Sequence, residues 1–551
     1  MKKLFLFILI IFIYSCANQL PPSGGAVDKE PPEIISFYPT NGLVNFDSEY
    51  FEFSFNEYID KRSFQDAFFI SPKIESKFEY DWSGKTVRVY FDKSKLRENT
   101  TYTINIGTDL FDLNNRNKMV KSYNLFFSTG NKIDEGKING KIYFSDDKDA
   151  FIFAFKNNSD TLNPSKSKPD YLTQVGNDGT YSLVGLGYGS YKLFAFTDEL
   201  RDMLYNIGED KYGVPFKVIE INDTNRIAEE VNLMLSIEDT LKPSVSNITM
   251  TDRNHILVEF NEYIDSTKVS NNNFSIIDST SNAKIPIKYI FRNIKPKTYF
   301  LCFNDSLINE REYYLEIENI VDLNGNISKK QELFLTQSTV LDTIKPKVVN
   351  IITKYENKTI DFVNPFFYVI FNDGINISDL SEYCKVVSNK NEEINSEVIK
   401  IDDSSILIKL KNNLKPKTKL KFKLNTEKIF DAAGNKVDSL FSTDLNTVDD
   451  LIFSGVSGKV KFKNSVKKNV TIVSKEHNYK STLNDKGEFN FSNIIPGKYI
   501  LWIYEDVDSN DVYTNGNVYP YKMSEKFYVF PDTLNLRARW PIGDIEIEKY
   551  H

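Results

Sequence analysis

Asp506, Asp508 and Asn510 stand at alternate positions of the run Asp506-Val507-Asp508-Ser509-Asn510, so three oxygen-bearing side chains fall at i, i+2 and i+4. That is the opening order of a calcium loop, in which carboxylate and amide oxygens converge on one hard cation. The segment continues to Asn515-Gly516-Asn517, but Asp511 occupies the place where such a loop needs glycine, and Asn517, not a glutamate, stands at the closing position. An Asx-rich turn accounts for the same residues, because short polar side chains bond their own backbone. A second stretch of similar context, Asp198-Glu199-Leu200-Arg201-Asp202, places leucine and arginine inside the pattern. Calcium at Asp506, Asp508 and Asn510 and a purely structural turn therefore both stand as readings, and no other cofactor is expected.

Catalytic chemistry has few parts to work with. His255, His477 and His551 are the only histidines, too few and too scattered to suggest a histidine-based triad or a histidine metal cluster. Paired carboxylates can always be drawn from 76 acidic residues, and nothing in their spacing selects a pair. The expectation is a protein that is not an enzyme. Glu57 and Glu262 recur in identical surroundings and could bind a metal or a partner at a strand end. Their commoner use is to mark where a chain leaves a sheet, with Asp60 and Asp265 following as turn-favouring residues.

The three cysteines are Cys16, Cys302 and Cys384. Lys2 and Lys3 precede an apolar run, Leu4 to Tyr14, that ends at Ser15-Cys16. The run is too short to span a bilayer, which takes about 20 apolar residues, and has the order of an export signal. Ile13-Tyr14-Ser15-Cys16 resembles a bacterial lipobox, which implies a diacylglycerol on the Cys16 thiol and a mature chain beginning there. Residues 1–15 are read as signal peptide. Residues 16–30, with Pro21-Pro22-Ser23-Gly24-Gly25, are read as a lipidated tether, since mixed Pro and Gly hold a folded domain away from the membrane without packing on it. Cys302 and Cys384 fall in different expected domains, so no disulfide framework is available. Cys302, among aromatics in Tyr299-Phe300-Leu301-Cys302-Phe303, reads as a small core residue.

A chain of 551 residues exceeds one hydrophobic core, and its 41% apolar and 14% aromatic content can offset the ordering entropy of folded modules. The net charge of -8 argues against nucleic acid, because phosphate binding needs a basic surface. Trp82, Trp502, Trp540 and the 31 tyrosines fall mostly in alternating strand runs, where packing is their ordinary use.

Internal repeats give the architecture. Phe55-Asn56-Glu57-Tyr58-Ile59-Asp60 recurs letter for letter as Phe260-Asn261-Glu262-Tyr263-Ile264-Asp265, and Phe371-Asn372-Asp373-Gly374-Ile375 is a degraded copy without the glutamate. Each copy closes a run with period-2 alternation, the mark of a half-buried strand. Each unit opens on a proline (Pro31-Pro32, Lys242-Pro243, Lys345-Pro346) and ends near an Asx turn at Asp112, Asp322 or Asp431. A second repeat pairs Asn177-Asp178-Gly179 and Gly189-Ser190-Tyr191 with Asp485-Lys486-Gly487 and Gly497-Lys498-Tyr499. The fold class expected is all-β: tandem β-sandwiches of immunoglobulin-like (Ig-like) and transthyretin-like type.

The first repeat resembles the bacterial Ig-like domain of the S-layer type, on its Pro-containing start, the Phe-Asn-Glu strand end, Asn99-Thr100-Thr101-Tyr102 and Phe127-Ser128-Thr129. The second resembles the transthyretin-like or carboxypeptidase-regulatory-like sandwich, a module associated with structural or binding roles. Expected boundaries are 31–130, 240–338 and 343–447 for the Ig-like units and 136–236 and 452–551 for the transthyretin-like ones. With its Cys-Ala-Asn start, the whole chain resembles the multidomain Ig-like lipoproteins of Bacteroidota. The resemblance implies an outer-membrane lipoprotein that scaffolds envelope proteins, with barrel-assembly or secretion machinery as partners, or alternatively a surface-exposed carbohydrate-binding or adhesive protein. Ala17-Asn18-Gln19-Leu20 lacks the acidic residues that such lipoproteins often carry when surface-directed, which favours the periplasmic face.

Overall fold

A computed structural model describes residues 27–144, 150–156, 161–304, 307–308, 310–376, 380–437, 440–461 and 466–548. The signal peptide and Cys16 lie outside the described residues. The chain is nearly all strand, with one seven-residue α-helix, Lys61–Ala67, and a few 3-10 turns among the described residues. No helix among them is long and apolar enough to cross a membrane. Two compact units are present: Met1–Glu238 with Glu505–Phe527, and Asp239–Tyr504 with Tyr528–His551.

In the first unit, Tyr50–Phe55 shows how the sequence makes a sandwich. Phe51, Phe53 and Phe55 are buried while Tyr50, Glu52 and Ser54 are half-exposed, so alternate side chains enter one core as the pleat requires. The strand pairs antiparallel with Ile34–Tyr38 and Thr86–Tyr90, and Glu79–Ser83 completes the sheet. A facing sheet holds Phe68–Ser71, Thr101–Ile106 and Tyr123–Ser128, and an aromatic-rich core lies between them. Asp60 caps the short helix by accepting from Ser63 N at 2.8 Å.

Thr101–Ile106 departs from simple alternation. Its outward residues Thr101, Thr103 and Asn105 are also buried, because the following sandwich covers them. Asn105 Nδ2 donates to Thr173 Oγ1 at 2.9 Å, and Thr103 Oγ1 donates to the Val184 carbonyl at 2.8 Å. Arg201 reaches Asp109 Oδ2 at 2.9 Å. The polar face is satisfied across a domain junction, as burial demands.

That following sandwich pairs Phe151–Phe155 with Gly189–Phe196. Ile152, Ala154, Tyr191, Leu193 and Ala195 face its core. Phe153, Phe155, Phe194 and Phe196 face the other way, where Val518 and Tyr521 pack on them. Tyr212 Oη donates to the Gly516 carbonyl at 2.9 Å there, and Ser524 N to the Pro215 carbonyl at 3.3 Å. Segment Glu505–Phe527 is thus part of the first unit through an aromatic face of its sheet.

The second unit contains three further cores, drawn from residues 250–335, 351–445 and 456–547. The first of its sandwiches has one sheet ordered Val245–Met250, His255–Phe260, Thr298–Cys302, Tyr289–Arg292, facing another ordered Lys284–Pro286, Phe274–Asp278, Tyr313–Ile317, Gln331–Leu335. In the next, Phe366–Phe371 pairs with Val348–Thr353 and Ser405–Leu410. In the last, Ser454–Val460 pairs antiparallel with Glu488–Ile494 and parallel with Ile542–Ile547.

Candidate functional site

The repeated Phe-Asn-Glu motif works chiefly through its asparagine. Asn56 Oδ1 accepts from Glu33 N at 2.8 Å, Asn261 Oδ1 from Ser244 N at 2.8 Å, and Asn372 Oδ1 from Lys347 N at 2.6 Å. Each asparagine N–H donates back to the carbonyl of the same residue. Asn261 and Asn372 also donate through Nδ2 to the Lys242 and Lys345 carbonyls, both at 3.4 Å. The entry segment of each unit is therefore clamped onto the end of its second strand. Replacing Asn261→Ala removes two side-chain hydrogen bonds and should cost about 1 to 2 kcal/mol, read as a lowered Tm for the transition that contains this sandwich.

The turn aspartates complete the fastening. Asp112 Oδ1 accepts from the backbone N–H of Asn114, Asn115 and Arg116, and Oδ2 from that of Asn117. Asp322 accepts from Asn324 and Asn326, and Asp431 from Asn435. Burial pushes Asp112 and Asp322 up, but these hydrogen bonds outweigh it and hold both below the usual carboxylate range. Gly325 and Gly434 supply the positive φ in two of the turns, and Arg116 adopts it in the first. The closing asparagines reach the linker: Asn117 to the Asp28 carbonyl at 3.2 Å, Asn326 to Asp239 at 3.0 Å and Asn435 to Asp342 at 3.3 Å.

Glu57 and Glu262 end up beside these aspartates. Asp239, Glu262 and Asp322 present carboxylate oxygens within 4.8 Å of one another, as do Asp342, Asp373 and Asp431. Asp373 therefore fills in the third unit the place that a glutamate holds in the other two, and the degraded copy keeps its acid. Burial first, then the charges of Asp239 and Asp322, raises Glu262 above its usual value; burial, then Asp112 and Asp28, does the same to Glu57. A carboxyl whose folded value exceeds its unfolded one opposes folding when ionised, a penalty absent below both values and growing as pH rises between them. Glu262→Gln should then raise stability near pH 7 by on the order of a few tenths of a kcal/mol, because solvent screens the group. Thermal melts near pH 7 and about pH 3.5 check this, the gain vanishing at the lower pH.

In the third unit the acid meets a cation. His255 lies directly opposite Cys302 across the strand pair His255–Phe260 and Thr298–Cys302, on the face turned away from the sandwich core. Its Nδ1 contacts Asp252 Oδ1 and its Nε2 contacts Asp373 Oδ1, each at 2.9 Å. With a carboxylate at each nitrogen the ring is an imidazolium donating twice. Burial alone would push His255 down, but the hydrogen bonds to Asp252 and Asp373 outweigh it and hold it well above its ordinary value. Burial pushes the Cys302 thiol up to about 12. Around it Tyr289 and Phe291 are buried and Ala432 packs on them, so Cys302 is enclosed as expected, though outside the sandwich core. The signal was legible: Phe300 and Cys302 are apolar at positions that alternation assigns to solvent, so a second body had to cover them.

At the expected calcium loop, Asp506 and Asp508 come within 4.8 Å of each other and of Glu525, which sequence spacing did not suggest. Asn510 turns into the loop itself: its Oδ1 accepts from Val512 N at 2.6 Å and its Nδ2 donates to Asp508 Oδ2 at 3.0 Å. Glu525 also accepts from Val507 N and Thr514 N. Asp506, Asp508 and Glu525 could together hold a hard cation. Cys384 is buried in the core drawn from residues 351–445. Among the tryptophans Trp540 is exposed, at 74%, while Trp82 packs edge-on to Phe64.

Residues 28–129 and 239–339 match the bacterial Ig-like domain family. These two segments are similar to bacterial Ig-like domains. The clamps of Asn56 and Asn261 and the turns at Asp112 and Asp322 all belong to them, and the match takes in the linker residues Asp28 and Asp239 that they fasten. The unit carrying Asn372 and Asp431 repeats their geometry outside the matched residues. No curated protein matches the chain. Among solved structures, the N-terminal part of the bacterial S-layer protein SbsC is 16% identical over 38% of this chain, with a TM-score of 0.17, and the match spans 45% of that fragment. Escherichia coli alpha-2-macroglobulin domains MG0-NIE-MG1 are 11% identical, covering 49% of this chain and 95% of theirs, TM-score 0.16. BcpA, the major pilin subunit of Bacillus cereus, is 10% identical, covering 75% and 99%, TM-score 0.14. At these scores the resemblances do not extend to function.

Proposed function

We propose that this chain is a non-enzymatic outer-membrane lipoprotein, anchored through Cys16, whose five sandwiches, with boundaries as read from the sequence, form a scaffold for envelope proteins. The observation that carries the reading is the threefold fastening of linker to sandwich by Asn56, Asn261 and Asn372. A chain whose acidic and amide motifs are spent on holding its own entry segments is built to keep its domains in place. The partners proposed are envelope proteins of barrel-assembly or secretion type, met on the periplasmic face.

Affinity purification of tagged protein in mild detergent tests the scaffold role. Stoichiometric recovery of envelope subunits is the expected result. Binding on a glycan array with no protein partner would replace the scaffold by the carbohydrate-binding reading, and protease shaving of intact cells that removes the sandwiches while a periplasmic control survives would reverse the face.

A further inference from the structure

We propose that His255, Cys302 and Asp373 form a binding site for a zinc-class divalent transition metal. A ring nitrogen of His255, the Cys302 thiol and an Asp373 carboxylate oxygen all lie within 4.8 Å of one another, and all three residues are buried. The donor set is one nitrogen, one sulfur and one oxygen. Calcium and magnesium take oxygen ligands, whereas imidazole with thiolate selects zinc and its neighbours. This separates the site from the all-carboxylate groups elsewhere in the chain.

The geometry is close to what such an ion needs. Zinc bonds of about 2.0 to 2.3 Å to nitrogen, oxygen and sulfur place tetrahedral ligand atoms roughly 3.3 to 3.8 Å apart. The His255 to Asp373 separation of 2.9 Å must open by less than half an ångström on that scale, about 0.4 Å. Strand pairing already sets His255 beside Cys302 on one face of a sheet, which is a precise support for two ligands. Asp252 holds the other ring nitrogen, Nδ1, at 2.9 Å. A carboxylate on the far nitrogen of a metal-bound histidine fixes the ring and strengthens the donor, a recurrent arrangement behind zinc ligands.

Charge and access point the same way. Asp342 and Asp431 stand with Asp373, their oxygens within 4.8 Å, and Asp252 holds the ring's other nitrogen. Negative charge gathered in this way, part of it buried, favours a divalent cation. His255 and Asp373 line a cleft of about 390 Å³ together with Asp252 and Asp342, so two of the three ligands border solvent while Cys302 lies behind them. On binding, the Nε2 proton and the thiol proton leave to solvent.

Cobalt(II), added to EDTA-stripped full-length protein as a spectroscopic substitute for zinc, tests the assignment. A near-ultraviolet thiolate-to-cobalt charge-transfer band saturating at one equivalent, and bleached by zinc, is expected. Cys302→Ser should abolish the band, Cys384→Ser should leave it, and Asp252→Asn should weaken zinc binding about 10- to 100-fold. No band in the unsubstituted protein, or a band of full amplitude in Cys302→Ser, overturns the site. The first of these needs no variant to fold.

Discussion

On the proposed anchor, Cys16→Ser should abolish membrane attachment while leaving the sandwiches folded. Two ester-linked acyl chains and one on the new amino terminus would each contribute about 0.8 kcal/mol per buried methylene, and several chains make stable an attachment that one leaves marginal. All of that rests on a single sulfur, because the apolar run before it is too short to span a bilayer. The variant should accumulate as unprocessed precursor, since the signal is cut only after the lipid is added. Metabolic labelling with a clickable fatty acid followed by fractionation reads the outcome. Unlabelled wild-type protein, or a Cys16→Ser chain still labelled and cleaved, would remove the anchor from the proposal.

In the metal-free protein the largest effect on folding is expected at His255. Removing the imidazole leaves Asp373 buried and Asp252 partly buried with their cation gone, and breaking a buried pair from one side costs about 3 to 5 kcal/mol. His255→Ala should therefore speed hydrogen exchange in peptides spanning 251–260 and 366–376, the segments that carry Asp252, His255 and Asp373. A folded value raised above the ordinary one means that the histidine's contribution is complete below about pH 6.5 and declines as pH rises toward the folded value. Asp252, held low by the hydrogen bond to His255 against its burial, loses its share as pH falls below about 4. The variant's deficit should thus be largest between those limits and smaller at about pH 8.5. An equal deficit at about pH 5.5 and 8.5 would show that lost packing, not charge, is what the substitution removes.

Much of this was legible in the residues. The letter-for-letter repeat at Phe55 and Phe260 located two Ig-like domains, and alternation in Tyr50–Phe55 gave the correct buried face. Two features were hidden for the same reason. Alternation alone assigns Thr101, Thr103 and Asn105 to solvent, yet all three are buried, and Thr103 and Asn105 bond to the next sandwich. His255 read as an isolated histidine, yet Asp373, 118 positions along, meets it. Periodicity reports which face of a strand meets its own core, and it carries no record of what a neighbouring domain lays against the other face. Spacing misled differently in the repeated motif: attention went to the glutamate, whereas the clamp belongs to the asparagine beside it. A carboxylate draws the eye toward ligands, but an amide can both donate and accept, which is what fastening a backbone requires.

The clamp also decides how the chain would respond to tension. A pull on the linker before the second Ig-like domain reaches, in order, the Asp239 carbonyl held by Asn326, the Lys242 carbonyl held by Asn261, and Ser244, bonded to Asn261 through both its N–H and its carbonyl. These bonds cross from the entry segment to two separate parts of the sandwich, so each of them has to break before a pull from the linker loads the first strand. Force applied at a tethered end is then carried into the body of the domain in shear, and extension should proceed by abrupt loss of a whole sandwich, with no gradual fraying before it.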